Sequence, residues 1–376
     1  MEIIFVSSIF FIFFAYFGYP LSLFLLGLFR DKKVEKALFF PPLTLIITVH
    51  NEEKRIEEKL DNTVALEYPR EKLQTLVASD GSTDRTNEIT RGYHERGVEL
   101  IEILERKGKE NAQKEAIKWA NGDVIVFTDV ATMLDPDGLK EIVSNFADPS
   151  VGCVSSEDKF LGKDGKPCGE GFYIQYEMWL RRLESNVNSL VGLSGSFFAV
   201  RKEVCQDFSE EMQSDFRMAL NSMKLGFRGV TDPCTIGHYQ DVADRKHEFD
   251  RKIRTVVRGL TVFFRYLEFL NVLKYGFFSY QYFCHKLLRW LVPVFLFAVF
   301  ISNAILVPRS LLFFILFAAQ LSFYGLAFLG WKRGGLSSKT LTKVPMYFLT
   351  ANASISVAWW KYLRGHRVVM WAPSER

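Results

Sequence analysis

The chain has 376 residues, of which 48% are hydrophobic and 24% charged. Neither a uniformly soluble protein nor one wholly buried in lipid shows both values, so the two classes must be segregated along the sequence. A formal net charge of +4 gives no electrostatic case for a nucleic-acid partner. The five cysteines, Cys153, Cys168, Cys205, Cys234 and Cys284, form no Cys-x-x-Cys pair and no metal-like spacing, and they read as reduced cytosolic thiols.

The first segment, Ile3 to Phe29, carries no charge. As a helix it rises roughly 40 Å, enough to cross a ~30 Å hydrocarbon core with tilt, and Pro20 is expected to kink it. A Met-Glu start without a basic n-region, a long apolar run and no small-residue cleavage site favour a retained anchor, residues 1–30, over a cleaved leader. Arg30, Lys32, Lys33 and Lys36 follow at once. Basic flanks stay on the cytoplasmic side, which places the N-terminus outside and the next domain in the cytosol.

From Leu43 to about Pro233 short apolar runs alternate with helical stretches. Strands are predicted at Leu43–Val49, Leu73–Ser79, Val98–Leu104 and Val124–Thr128, with helices at Glu53–Leu66, Asp84–Arg96 and Lys109–Ala120. This alternation implies an α/β domain, residues 40–255, with a mostly parallel central sheet covered on both faces. Ligands of such sheets bind beyond the C-terminal strand ends. Here those ends carry His50-Asn51-Glu52, Asp80-Gly81-Ser82-Thr83-Asp84 and Asp129. Carboxylates there can accept from a ribose or base, or ligate a divalent cation. Each alone could equally be a turn or helix cap, and Asp84 reads as a cap.

The C-terminal third returns to apolar sequence. Residues 256–286 mix bulky apolar side chains such as Phe263, Phe264, Phe277 and Phe278 with Arg265, Lys274 and Lys286, a pattern suited to helices lying in the membrane interface. Residues 287–307 and 311–331 read as transmembrane helices joined by the short link Pro308-Arg309-Ser310, with Lys332-Arg333 marking a return to the cytoplasm. Residues 344–360 contain Thr350, Asn352, Ser354 and Ser356 and read as a transmembrane or re-entrant helix. A basic tail, 361–376, closes the chain. No charges line a path through these segments, which argues against a transporter.

Several motifs now fall into order: Thr48-Val-His-Asn-Glu52, Ser79-Asp-Gly-Ser-Thr-Asp84, Gly108-Lys109 with Asn111, Phe127-Thr-Asp129, Gly192-Leu-Ser-Gly195-Ser196, Ser214-Asp215 and Arg251-Lys-Ile-Arg254. Together they resemble the motifs of membrane-associated family 2 glycosyltransferases of the GT-A fold (Rossmann-like), over about Pro42 to Gly259. The resemblance implies that Val49, Asn51, Glu52 and Asp80 hold the donor nucleoside and that Lys109 lies near the nucleotide. It implies that Asp129, the first residue of an Asp-x-Asp motif, binds Mg²⁺ or Mn²⁺ at the diphosphate. The second aspartate is replaced by Ala131, and His238 is a further candidate ligand. Asp215 matches the family's catalytic base, and it also sits where an N-cap for a helix Phe216–Leu225 would. Gly195 and Ser196 would shape the acceptor side. Arg251 and Arg254 would grip the diphosphate, in a motif whose usual Trp is replaced by Thr255.

These expectations describe an inverting glycosyltransferase in polysaccharide or glycoconjugate biosynthesis, in the plasma membrane with a cytosolic catalytic domain. It would move a sugar from a nucleoside-diphosphate sugar, UDP being the commonest such donor, to a lipid-linked or membrane-associated saccharide. Thr255 and the few spans favour one addition per encounter over a processive polysaccharide synthase. A catalytically degenerate membrane scaffold is the alternative of another class, and nucleotide binding separates it from an enzyme.

Overall fold

A computed structural model describes residues 1–161, 171–240, 245–332 and 340–368. The chain divides into two compact units, Leu23–Ala243 and Met1–Ser22 with Asp244–Arg367. Arg333 and residues 369–376 of the basic tail, including Arg376, lie outside the described residues, as does Cys168.

Among the described residues the first unit is built on eight strands: β1 (Leu43–Val49), β2 (Leu73–Asp80), β3 (Val98–Ile103), β4 (Val124–Asp129), β5 (Thr132–Leu134), β6 (Val151–Leu161), β7 (Phe197–Arg201) and β8 (Arg228–Gln240). They form one sheet in the order β3-β2-β1-β4-β7-β6-β8-β5. β1 is Leu-Thr-Leu-Ile-Ile-Thr-Val, rich in β-branched residues and buried throughout, as a central strand covered on both faces must be. Leu43, Leu45, Ile47 and Val49 join one core with Ile56, Leu60, Leu139 and Ile142 of flanking helices. Ile46 joins the opposite core, with Ala112, Ala116, Phe127, Phe198 and Met218. The period of two thus sends alternate side chains into two helix-covered layers. Each fully buried Leu, Ile or Phe contributes about 1.5–3 kcal/mol to them.

The mostly parallel sheet is borne out at β1 to β4, which pair in parallel. β7 then runs antiparallel to β4 and to β6, β5 antiparallel to β8, and β6 parallel to β8. Register does the functional work. Val49 lies opposite Ser79 and Thr48 opposite Asp129, so the C-terminal ends of β1, β2 and β4 open on one edge. Because β7 runs back along β4, with Thr128 opposite Phe197, the residues preceding β7 arrive beside Asp129.

The second unit is helical. Glu2–Gly27, whose last residues belong to the first unit, Phe277–Arg309 and Leu311–Lys332 are long and apolar enough to cross a membrane. The first of these helices has a π-helical turn at Phe14–Gly18 and continues as α-helix through Pro20. Within this unit Phe5, Val299 and Leu306 pack together against Ile12 and Phe313. The expected interfacial stretch is the end of a helix, Arg245–Arg265, followed by short turns at Leu267–Leu270 and Val272–Tyr275. The span expected from residue 287 is the continuation of a helix that begins at Phe277. In the last helix, Thr340–Leu363, the polar groups of Asn352, Ser354 and Ser356 bond back to carbonyls of their own helix.

Candidate active site

The ends of β1 and β2 are tied to each other before any ligand is considered. Asn51 adopts a left-handed backbone with φ 52. Its side-chain oxygen accepts from Thr83 N at 2.8 Å, and its own N–H donates to Ser82 Oγ at 3.1 Å. His50 Nδ1 lies 2.7 Å from the carbonyl of Asp80. Val49 buries its side chain in the core, which leaves main-chain groups as what it can offer a ligand. Glu52 is held bidentately by Arg55, at 2.8 Å on each oxygen. Burial pushes its carboxyl up against the pull of Arg55. The cap expected at Asp84 falls instead on Arg85, because the helix starts at Thr86; Asp84 Oδ1 accepts from Thr86 N at 3.0 Å in a turn before the helix, and such bonds hold its carboxyl down although burial opposes them. The two carboxylate oxygens of Asp80 accept from Lys107 N at 2.9 Å and Gly108 N at 2.7 Å. Asp80 therefore fixes the loop from which the helix Lys109–Trp119 departs.

Lys109, the first residue of that helix, reaches across to β4. Its ammonium pairs with Asp129 Oδ1 and donates to the carbonyl of Gly195 at 2.8 Å. The Asp129 N–H donates to the carbonyl of Ser196 at 2.9 Å. A Cβ added to Gly195 would lie 2.6 Å from Asp215 Oδ2, so the glycine leaves room for that carboxylate where it stands. Asp215 is the second residue of the helix Ser214–Lys224, whose N-cap is Gln213. The N-cap expected at Asp215 is thus displaced by two residues, because the helix starts at Ser214. Its Oδ1 still accepts from Phe216 N at 2.7 Å, and its Oδ2 from Gln213 Nε2 at 2.9 Å. One chain of contacts, Asp129–Lys109–Gly195–Asp215, therefore joins a strand-end carboxylate to a second carboxylate across a glycine.

The sequence reading overlooked three side chains around this chain of contacts. Lys59 is fully buried, and its ammonium bonds Thr128 Oγ1 at 3.2 Å and the carbonyl of Thr132. It braces both ends of the Asp129-Val130-Ala131 turn, and burial lowers its pKa to about 7 although Asp129 opposes the shift. The signal was present: Lys59 shares the helix face of Ile56, Leu60 and Thr63, a core position for a charge. Asp158 and Tyr239, from β6 and β8, are the others; the Tyr239 hydroxyl donates to Asp158 Oδ1 at 3.1 Å.

A divalent cation would meet one carboxylate on this turn. Asp129 Oδ1 is engaged by Lys109, Oδ2 accepts no hydrogen bond from any described residue, and Ala131 offers no ligand. His238 pairs through Nε2 with Asp135 at 2.9 Å, and its Nδ1 is buried without a partner. Among the described residues no three Asp, Glu, His or Cys side chains come together as a metal cluster. The donor set fits a hard cation that takes most of its ligands from phosphate and water, as Mg²⁺ commonly does. Arg251 and Arg254 belong to the helical unit, on the helix Arg245–Arg265. There burial, then Arg258 and Arg251, depress the guanidinium of Arg254.

The profile of the family described as "Glycosyl transferase family 2" matches residues 44–208. The poly-beta-1,6-N-acetyl-D-glucosamine synthase of Staphylococcus aureus is 28% identical over 170 residues, 44% of this chain and 40% of that one. The enzyme of the same name from Staphylococcus epidermidis is 25% identical over 170 residues, with the same coverage. The matched stretch therefore spans well under half the length of these relatives. Among solved structures, the mannosyltransferase PcManGT from Pyrobaculum calidifontis, in complex with GDP-Man and Mn²⁺, superimposes with a TM-score of 0.72. It is 23% identical, and the superposition covers 97% of this chain and 99% of that one; the likeness is one of fold.

Proposed function

Because the chain carries a family 2 glycosyltransferase domain of the GT-A fold, we propose that it transfers a sugar, with inversion, from a nucleoside-diphosphate sugar, a UDP-sugar first among them, to a lipid-linked or membrane-associated saccharide. The observation that carries this reading is the contact chain Asp129–Lys109–Gly195–Asp215. It provides a cation and a carboxylate for a diphosphate at one end and a base at the other. Asn51, Glu52, Asp80 and the main chain at Val49 would hold the nucleoside. Lys109 would face the diphosphate, and Asp129, with the remaining ligands from phosphate and water, would hold Mg²⁺ or Mn²⁺. When bound, that ion offsets the charge of the leaving nucleoside diphosphate. Asp215 takes the proton of the attacking acceptor hydroxyl. The hydroxyl oxygen bonds to the anomeric carbon as the bond to phosphate breaks, and the nucleoside diphosphate leaves with the electron pair.

Three apolar helices among the described residues, with basic residues after the first, support a multi-pass plasma-membrane protein whose catalytic domain faces the cytosol. Ile3, Phe297 and Leu311 are 84%, 68% and 73% exposed, an apolar surface that lipid covers and water does not.

The test is a nucleotide-sugar panel read by nucleoside-diphosphate release in membranes, with Asp215→Asn alongside. The variant should lose roughly 10²–10⁴-fold in transfer, the usual contribution of a general base, and retain UDP or GDP affinity. Near wild-type transfer by the variant removes Asp215 from the role of base. Absence of nucleotide binding by the wild type returns the chain to the scaffold reading. Likeness to a named polymer synthase favours a second reading, processive elongation. Product length separates the two, and Thr255 in place of the motif's Trp supports single additions.

A further inference from the structure

Asp158 stands on β6 beside the Gly195-Ser196 segment, and its two oxygens have different surroundings. Oδ1 accepts from Ser194 Oγ at 2.7 Å, from Tyr239 OH at 3.1 Å, and from Ser156 Oγ and Ser196 Oγ at 3.5 Å each. Oδ2 accepts no hydrogen bond from any described residue, and it is not sealed in the interior. Burial raises the Asp158 carboxyl, although Arg181 and the hydroxyl donors pull the other way. One oxygen is thus anchored in a wall of hydroxyls contributed by β6, β8 and the loop before β7, and the other is presented. Ser194 and Tyr239 are themselves 3% and 4% exposed, so the anchor is rigid.

Charge divides the two sides of the site. Lys109 lies at Asp129, where a diphosphate is neutralised. On the other side of Gly195 stand Asp215 and the wall of Ser194, Ser196, Tyr239 and Asp158, where Arg181 is the cation that draws on Asp158. A phosphate arriving there as nucleophile meets two carboxyl groups. A sugar meets acceptors for its hydroxyl hydrogens, and hydrogen bonds to an ionised acceptor are about twice as strong as neutral ones.

We infer that Asp158 is a specificity residue whose free Oδ2 receives a hydroxyl of the acceptor sugar, and that the acceptor nucleophile is a neutral saccharide hydroxyl and not a lipid monophosphate. The inference rests on the transferase reading above. In the reaction Asp158 exchanges no proton: the hydroxyl it holds neighbours the one that attacks, whose proton goes to Asp215.

The test uses the full chain in detergent, with the donor identified by the panel. Neutral oligosaccharides, free and lipid-linked, are compared as acceptors with a polyprenyl monophosphate. Asp158→Asn should raise the acceptor KM by ~10–100-fold, the range expected when a hydrogen bond to a charged group is lost, and leave the Kd for UDP or GDP within about twofold. Tyr239→Phe, which removes one anchor of Oδ1, should raise the same KM by a smaller factor and serves if the aspartate variant does not fold. Polyprenyl monophosphate should accept no sugar. An unchanged acceptor KM in both variants, or preferential transfer to the monophosphate, overturns the inference while the transferase reading stands. A wild-type chain that binds neither nucleotide overturns both.

Discussion

Lys59 is the residue at which folding and the site make opposing demands. An ammonium with no solvent exposure is costly, and its bonds to Thr128 and Thr132 offset the cost only in part. The sign of the pH effect follows from its pKa, which falls from 10.5 in the unfolded chain to about 7 in the folded one. Below pH 7 both states carry the proton and the burial penalty is present in full. Between pH 7 and 10.5 the unfolded chain holds more protons, so stability rises with pH across that window, by a contribution on the order of 5 kcal/mol. Lys59→Met removes the titrating group. Thermal midpoints of wild type and variant in detergent should therefore differ most, in favour of the variant, at pH 7, and the gap should close towards pH 10. A gap that does not change with pH would show that Lys59 is not a buried ammonium. Methionine cannot bond Thr132, so the variant should also bind nucleoside diphosphate more weakly if the Asp129 turn holds the donor.

Among the elements, β1 to β4 and the helices between them were legible, because each announces itself locally. Leu43–Val49 is predicted and observed with the same bounds, and β2, β3 and β4 differ from prediction by one residue at their ends. The helix predicted from Glu53 begins at Ile56, since the Glu52–Arg55 fork occupies the residues before it. The chain after Asp129 was legible as motifs but not as strands. β6 makes register shifts at Val151/Cys153 and Ser155/Glu157, and β8 contains Pro233 and Gly237, so neither shows a clean period of two. Asp158 could not be read at all. What marks it is the convergence of Ser194, Ser196 and Tyr239, positions 36 to 81 residues away. Gly195 was legible as a motif, but its reason was not: the glycine makes room for Asp215. Gly122, just before β4, makes a comparable demand at element scale. Its N–H donates to Thr44 Oγ1 at 2.9 Å, and an added Cβ would lie 2.4 Å from Thr44 N and 2.6 Å from Leu43 C. Those are backbone atoms of β1 and cannot swing aside. Gly122→Ala should cost about 1–3 kcal/mol, as overpacking does, read as a lowered thermal midpoint. Gly325→Ala, with nothing within 4 Å of the new methyl, is the control and should leave the midpoint unchanged or slightly raised.

At the scale of the whole molecule, a polar α/β unit and a set of apolar helices share one chain, and the side of the membrane on which the α/β unit stands decides whether it can meet a cytosolic nucleotide sugar. The basic residues Arg30, Lys32, Lys33 and Lys36 after the first apolar helix argue for the cytosol. The cysteines supply a reporter. Of the four described, Cys153, Cys205 and Cys284 are buried and Cys234, in β8, is exposed. Burial pushes the thiols of Cys153 and Cys205 up to about 12, so almost no thiolate is available to react near neutral pH. With Cys168, which lies outside the described residues, replaced by Ser, a membrane-impermeant maleimide has one accessible target in the α/β unit. It should leave Cys234 unlabelled in intact cells and label it in inside-out vesicles, and Cys234→Ser should abolish the vesicle signal. Labelling from outside intact cells would invert the topology. It would separate the site of Asp129 and Asp215 from the cytosolic pool of nucleotide sugars, and the proposed donor would then have to be replaced by one available on the outer face.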